Sequence, residues 1–356
     1  MQLSALNAII VSKDFERYNM RTIEIGKNDA GQRLDKFLTK RFKTMPKALM
    51  YKYIRTKYIK LNGKRCEISS RLNEGDILTL YIKDEFFEPQ KAEYDFMKAP
   101  LKLDVVYEDE NILLIDKKPG LIVHPDENYH FDSALARIQH YLYEKGEYNP
   151  ELENSFAPAL VNRIDRNTGG IVIAAKTAEA LRILNQKMKD RELIKLYLCI
   201  AIGNFEKKAD TMTAYLEKNE KQNRVYISNK PRDGAKTIKT KYRVLSERNG
   251  LSLVEVDLLT GRTHQIRVHM KHIGHVLFND ERYGGHEILK GTHFSKYKQF
   301  VNNCFDTCPR QALHAMTLGF VHPVTGKEVF FTSELPDDMT QLIDKWRSYI
   351  SNRDIE

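Results

Sequence analysis

Residues 161–176 read VNRIDRNTGGIVIAAK. An acid, Asp165, stands between two arginines, Arg163 and Arg166, just before an Asn-Thr-Gly-Gly turn and an apolar run. The run Ile171–Ala175 is short and bounded by turn residues, the pattern of a buried strand. Asp165 is then expected where extended chain gives way to a loop, and the neighbouring guanidinium groups favour its ionised form. Two readings fit these letters equally. One is a salt-bridged structural turn; the other is a carboxylate kept charged beside a polyanion.

Working outward, strand patterns recur at Val105–Tyr107, Ile112–Ile115, Leu196–Ile202, Thr237–Leu245 and Leu251–Leu259. Helical stripes fall at Leu135/Ile138/Leu142, at Leu181/Leu184/Met188 and around Leu342/Trp346. Strands and helices do not alternate regularly, so the expected class is α+β with a mostly antiparallel sheet. The stretch 83–100 mixes charges with two prolines and has no clean period, which reads as a linker. The expected division is an extension over 1–20, a small α/β module over 21–88, a linker over 89–100 and a large domain over 101–356. From Met20, MRTIEIGKNDAGQRL already reads as a complete entry to the module.

The chain has 356 residues, 42% hydrophobic and 29% charged, enough for two domains with a large core. No apolar run reaches the length of a membrane span, and the first residues carry no basic leader. Four scattered cysteines form no disulfide framework, so a reducing, cytoplasmic compartment is expected. Charge is unevenly placed. The formal net charge is +9, yet residues 31–65 hold twelve Lys or Arg against one acid, Asp35. That segment is +11 and the remainder of the chain −2. A concentrated basic stripe is the footprint of phosphate binding, whereas a solvated helix face mixes both signs. Leu34, Phe37, Leu38 and Phe42 fall at helical spacing, Pro46 can open a second helix, and Asn62-Gly63 marks a tight turn. Arg33, Lys36, Lys40, Arg41, Lys47, Lys52, Arg55, Lys57, Lys60, Lys64 and Arg65 are the candidate nucleic-acid contacts of this stripe.

Three other segments could carry chemistry. In LLTGRTHQIRVHMKHIGHVLFNDERYGG (258–285), Thr263 is positioned to cap a helix that carries Arg267 on its first turn. His264, His269, His272 and His275 invite a metal, but there is no His-Glu-x-x-His and no carboxylate at ligand spacing, so none is expected. Tyr197 lies in the apolar strand IKLYLCIAIG, where a core tyrosine with one hydroxyl partner is the simple reading. DENILLIDKKPGLIVHP (109–125) by itself indicates only a strand ending in a tight turn.

Taken together these pieces resemble one family. DENILLIDKKPGLIVHP, NRIDRNTGGIVIAAK, KLYLCIAIG, GRTHQIRVHMKHIGHVLFNDERYGG and RQALHAMTLGFVHPVTGKEV follow, in order, the pattern of the RluA-type pseudouridine synthases across roughly Leu101 to Thr332. GQRLDKFL…YIRTKYIKLNGKR…LNEGDIL resembles the S4 RNA-binding domain. The resemblance implies an α+β pseudouridine synthase fold around a central, mostly antiparallel sheet, with RNA bound across it and no cofactor. It also implies that Asp165 is the catalytic aspartate, Tyr197 the residue stacking on uracil and Arg267 the partner of the aspartate. Arg163 matches the arginine that handles the displaced base. Arg166, Asn162 and His264 are expected RNA contacts, with Asn162 standing where the family often has His. An S4-like module in this family points to large-subunit (23S) ribosomal RNA as partner. The rival expectation is a non-catalytic RNA-binding or ribosome-assembly protein on the same fold. Residues 286–309 depart from the pattern, and Phe300, Val301, Cys304 and Phe305 there predict a surface helix.

Overall fold

The computed structural model describes residues 19–87, 94–126, 131–219, 224–231, 233–287 and 295–351. The amino-terminal module runs β1 (Met20–Glu24), α1 (Leu34–Arg41), α2 (Lys47–Arg55), β2 (Ile59–Leu61), β3 (Lys64–Arg65) and β4 (Ile77–Tyr81). Its helices form for the reason their spacing gives. Leu34, Phe37 and Leu38 of α1 and Met50, Tyr53 and Ile54 of α2 are buried in one cluster with Ile59, Leu78 and Leu80. The strands pair antiparallel in the order β1-β4-β2-β3. Asn62 and Gly63 both have positive φ, 51° and 70°, as a tight β2–β3 connection requires. Strand β1 lies just where the extension was expected to end, pairing Met20 through Glu24 with β4.

The large domain continues with β5 (Val105–Glu108), β6 (Ile112–Lys117), α3 (Ala134–Glu144), β7 (Ala159–Leu160), β8 (Gly169–Ala175), α4 (Ala178–Asp190), β9 (Ile194–Ile202), β10 (Ala209–Asn219) and β11 (Arg224–Ser228). After these come β12 (Lys236–Arg248), β13 (Leu251–Asp257), α5 (Gln265–His272), α6 (Ser295–Thr307), β14 (Leu313–Val321), β15 (Glu328–Thr332) and α7 (Asp337–Ser351). Their sheet has the order β11-β10-β12-β13-β9-β14-β8-β6-β5, with β15 on β14 and β7 on β8. The one parallel pair among the described strands is β14 with β8. This is the α+β class with a mostly antiparallel sheet.

Burial on both sides of the sheet explains the apolar runs. Leu113, Ile115, Val172, Ala174 and Cys199 pack with α3 and α5, while Leu114, Ile171 and Ile173 pack with α4. Helices α3 and α4 start where the sequence supplies a cap: Ser133 accepts from the Ala136 amide and Thr177 from that of Ala180. Helix α6 buries Val301, Cys304 and Phe305 against α7 and Trp346, so this part of the insertion is an outer helix of the domain.

One boundary is corrected. The second half of the expected linker 89–100 belongs to the large domain, because Phe96 and Ala99 are buried in its core and Phe96 packs on Tyr143 and Tyr148. The module in turn meets the large domain through a polar seam. Asp29, 2% exposed, accepts from Ser155 Oγ at 2.6 Å and Asn154 Nδ2 at 2.9 Å. Arg182 of α4 donates to the Ala30 carbonyl at 2.8 Å, and Asn28 accepts from the Ala178 amide.

Candidate active site

Asp165 lies in the loop between β7 and β8, and its partner is neither of the arginines beside it in sequence. Arg267, on the first turn of α5, donates through Nη1 to Asp165 Oδ2 at 3.0 Å. Its other edge is fully engaged: Nε and Nη2 bind both oxygens of Asp280 at 2.7 and 2.8 Å. The Arg267 side chain is 8% exposed and that of Asp280 is 0%. Burial works against the guanidinium charge, but the hydrogen bonds and charges of Asp280, then Asp165, hold its pKa above the ordinary value. Arg267 is therefore a fixed cation that gives one donor to Asp165 and leaves Asp165 Oδ1 without a hydrogen bond from the described residues.

The start of α5 differs from expectation. Thr263 is not the cap; His264 occupies that position in the left-handed region, φ 54°, with no side-chain capping bond. Gln265 serves the turn, its Oε1 accepting from the Arg262 amide and from Thr260. The left-handed turn sets the His264 ring beside the acid, with Nε2 3.9 Å from Asp165 Oδ2 and Nδ1 2.9 Å from the Tyr283 hydroxyl. Burial lowers the His264 pKa; Asp165 opposes this, and Arg267 and Arg282 reinforce it. Around neutral pH the ring is uncharged.

A cleft of about 580 Å³ opens above these residues, walled by Tyr197 of β9, Leu313 of β14, Leu216 of β10, Val225 of β11 and the loop 258–264. Among the described residues Asp165 is the one acid lining it, against Arg163, Lys195, Lys236, Arg262 and Arg267. Tyr197 is 7% exposed, but its hydroxyl has no partner among the described residues, unlike a satisfied core tyrosine. Burial, then the Asp165 charge, drives its pKa up, so the ring stays neutral. The cleft thus joins a flat aromatic wall, an isolated carboxylate and a basic rim. That suits an unstacked base carried on a phosphate backbone.

Residues 111–272 match the family model for RNA pseudouridylate synthase. An uncharacterised RNA pseudouridine synthase of Chlorobaculum parvum is 32% identical over 333 residues, spanning 93% of this chain and 98% of that protein. The chain belongs to the RNA pseudouridine synthase family. The ribosomal large subunit pseudouridine synthase C of Vibrio cholerae is 31% identical over 337 residues, again 93% of this chain and 98% of its relative. The solved structure of human RNA pseudouridylate synthase domain containing 4 covers 68% of this chain and 93% of its own, with a TM-score of 0.52 at 19% identity. It shares the fold. The synthase is thus an isomerase acting on RNA, and a non-catalytic role is not favoured.

In the synthase the loop carrying Asp165 is gripped from below by buried cations that sequence reading did not single out. Lys117 Nζ donates to the carbonyls of Lys118, Leu121 and Arg166 at 2.8 to 3.0 Å. Burial, then the Arg310 charge, lowers its pKa to about 7. Arg310 donates to the Asn167 carbonyl at 3.0 Å while binding both oxygens of Asp338 on α7. Asp280, Lys117 and Arg310 all lie inside the motifs quoted above. No local pattern marks them, because what each holds, the Arg166 carbonyl for Lys117, the Asn167 carbonyl for Arg310 and Arg267 for Asp280, is brought to it by folding.

The remaining candidates divide. Arg163 is exposed at the cleft, whereas Arg166 turns to the Gly120 carbonyl at 3.0 Å and lines a separate cavity of about 300 Å³ with Lys118 and Arg137. Asn162 spends its amide on β8, accepting from the Ile173 amide and donating to the Ile171 carbonyl. His269, His272 and His275 diverge to Thr240, Asn229 and the Ile202 carbonyl. In the module, Lys36, Lys47, Lys52, Arg55, Lys57, Lys64 and Arg65 are exposed, Lys40 reaches Gln32, and Arg33 pairs with Asp35. Arg41 and Lys60 are half-buried, lying over the rings of Phe42 and Tyr81.

Proposed function

We propose that the synthase isomerises a uridine in large-subunit ribosomal RNA, with Asp165 as catalytic carboxylate and residues 21–88 as an S4-like docking module. The observation that carries the reading is a carboxylate at the cleft floor, the single one among the described residues, held by a buried arginine beside a tyrosine whose hydroxyl has no partner among them. The reaction breaks the bond from uracil N1 to ribose C1′, turns the base, and joins C5 to C1′. The C5 proton is lost and N1 gains one, so the net change needs no oxidant and no cofactor. Asp165 supplies the carboxylate oxygen, as nucleophile or base, and the hydrogen bond from Arg267 aims it. Tyr197 offers its face to the base, and Arg163 stands at the rim where the displaced partner would lie. Extruding a stacked uridine costs a few kcal/mol, which phosphate contacts made by the module and rim offset. The name of the Vibrio relative supports the ribosomal substrate, and four free, buried cysteines support a cytoplasmic setting.

Incubating large-subunit ribosomal RNA transcript with the enzyme and digesting it to nucleosides tests the reading. Wild type should yield pseudouridine, and Asp165→Asn should yield none while binding RNA within about threefold of wild type. Full conversion by that variant removes Asp165 from the chemistry.

A further inference from the structure

Among the described residues four cations are buried: Lys117, Lys195, Arg267 and Arg310. Three have their charge answered. Lys117 donates to three carbonyls, and Arg267 and Arg310 each hold a carboxylate through two bonds. Lys195 is the exception. It is 8% exposed, and the one contact its Nζ makes within hydrogen-bond range is the thioether of Met188 at 3.9 Å. Asp257 is near enough to favour the charged form, but no hydrogen bond or ion pair joins the two. An ammonium withdrawn from water without an oxygen acceptor is unfavourable unless something else supplies one.

The position says what that is. Lys195 and Tyr197 are two residues apart on β9, so their side chains leave the same side of the strand about 6.6 Å apart. Both line the cleft. Space beside the ammonium is bordered by Gly261, whose Cβ, if it had one, would lie 3.8 Å from Nζ. Arg262 and Lys236, both exposed, stand on the same rim. Burial pushes the Lys195 pKa down, with Asp257 opposing, and a phosphate arriving here would reverse that. A compact ammonium on a flexible stem suits a single phosphate oxygen.

We propose that Lys195 is a phosphate-binding residue of the cleft, taking the phosphodiester next to the uridine that lies against Tyr197. The assignment rests on the function proposed above and adds a specific backbone contact to it. Lys195→Met removes the charge while keeping an apolar stem against Met188. With large-subunit ribosomal RNA transcript as probe, binding should weaken about tenfold at low salt. The slope of log affinity against log salt should shrink by about 0.7, the value for one phosphate on a single strand. Single-turnover conversion at sub-saturating RNA should fall in step with the lost affinity. Ethylation interference on the same transcript should show one phosphate adjacent to the new pseudouridine that matters to wild type and not to Lys195→Met. An unchanged salt slope, identical interference patterns, or a collapsed rate at unchanged affinity would each overturn the assignment. Product formation by wild type is scored in parallel. Its absence counts against the proposed function, while the salt slope still judges Lys195.

Discussion

At the scale of single residues, the site depends on how charge is shared around Arg267. Of its five N–H donors Asp280 takes two, and a third goes to Asp165. Removing Asp280 leaves a buried guanidinium short of countercharge. Asp280→Ala is therefore expected to destabilise the fold by about 3–5 kcal/mol in urea unfolding, and isomerisation should fall with it. His269 on α5 is a second sensitive residue, since its Nδ1 meets Thr240 while its buried Nε2 has no partner. Burial, with His272, lowers its pKa to about 4 from 6.5. The folded state excludes the proton, so this contribution is complete above pH 6.5 and is lost as pH falls towards 4. Denaturant melts across that window should show falling stability, with a shallower fall in His269→Asn. An equal pH slope in both proteins would clear His269 of the effect. Neither residue could be read from its neighbours, because the groups that matter to them come from other elements.

Elements were legible where their own chemistry specified them and obscure where it did not. The stripes of α1, α3, α4 and α7 and the Asn62-Gly63 turn follow from spacing alone. Strands β14 and β15 escaped, since LHAMTLGFV carries glycine and histidine through a central strand and EVFFT sits at an edge. The start of α5 misled as well: the local threonine is a good cap, yet contacts of Gln265 and Tyr283 favour a left-handed His264. The Gly-Gly of residues 169–170 gains its reason only from packing. Gly170 has φ +118°, and a Cβ there would lie 2.1 Å from the Ala315 carbonyl oxygen, where β8 pairs with β14. Gly170→Ala combines backbone strain with overpacking, so a loss of at least about 2 kcal/mol is expected by thermal melting. Replacing the cap, Thr177→Ala, should cost about 1 kcal/mol, which sets the scale for comparison.

For the whole molecule, the seam between module and large domain decides how the basic stripe stands relative to the cleft. Asp29 is its centre, and Gly31 is pressed so close that a Cβ would meet Arg182 Nη1 at 1.8 Å. Asp29→Ala should loosen the module without touching the cleft. X-ray scattering is expected to show a larger radius of gyration, and KM for long ribosomal RNA should rise severalfold while kcat holds. Removing residues 21–88 should go further and flatten the salt dependence of RNA binding. Unchanged binding after that deletion would deny the module its docking role.

The sequence by itself determined the α+β class and a compact basic module ahead of a larger strand-rich domain, while the resemblance of its ordered motifs to the RluA-type synthases singled out Asp165, Tyr197 and Arg267. Periodicity, turn chemistry and charge density are local properties and survive in one dimension. The tertiary structure bears out the expected pairing of Arg267 with Asp165, 102 residues apart, and only it decided that Asp280 stands behind that arginine. It also separated Arg163 from Arg166 and exposed Lys195 as a buried cation without an anion. The energy of a buried charge depends on what surrounds it in space, and that is established only when distant segments pack together.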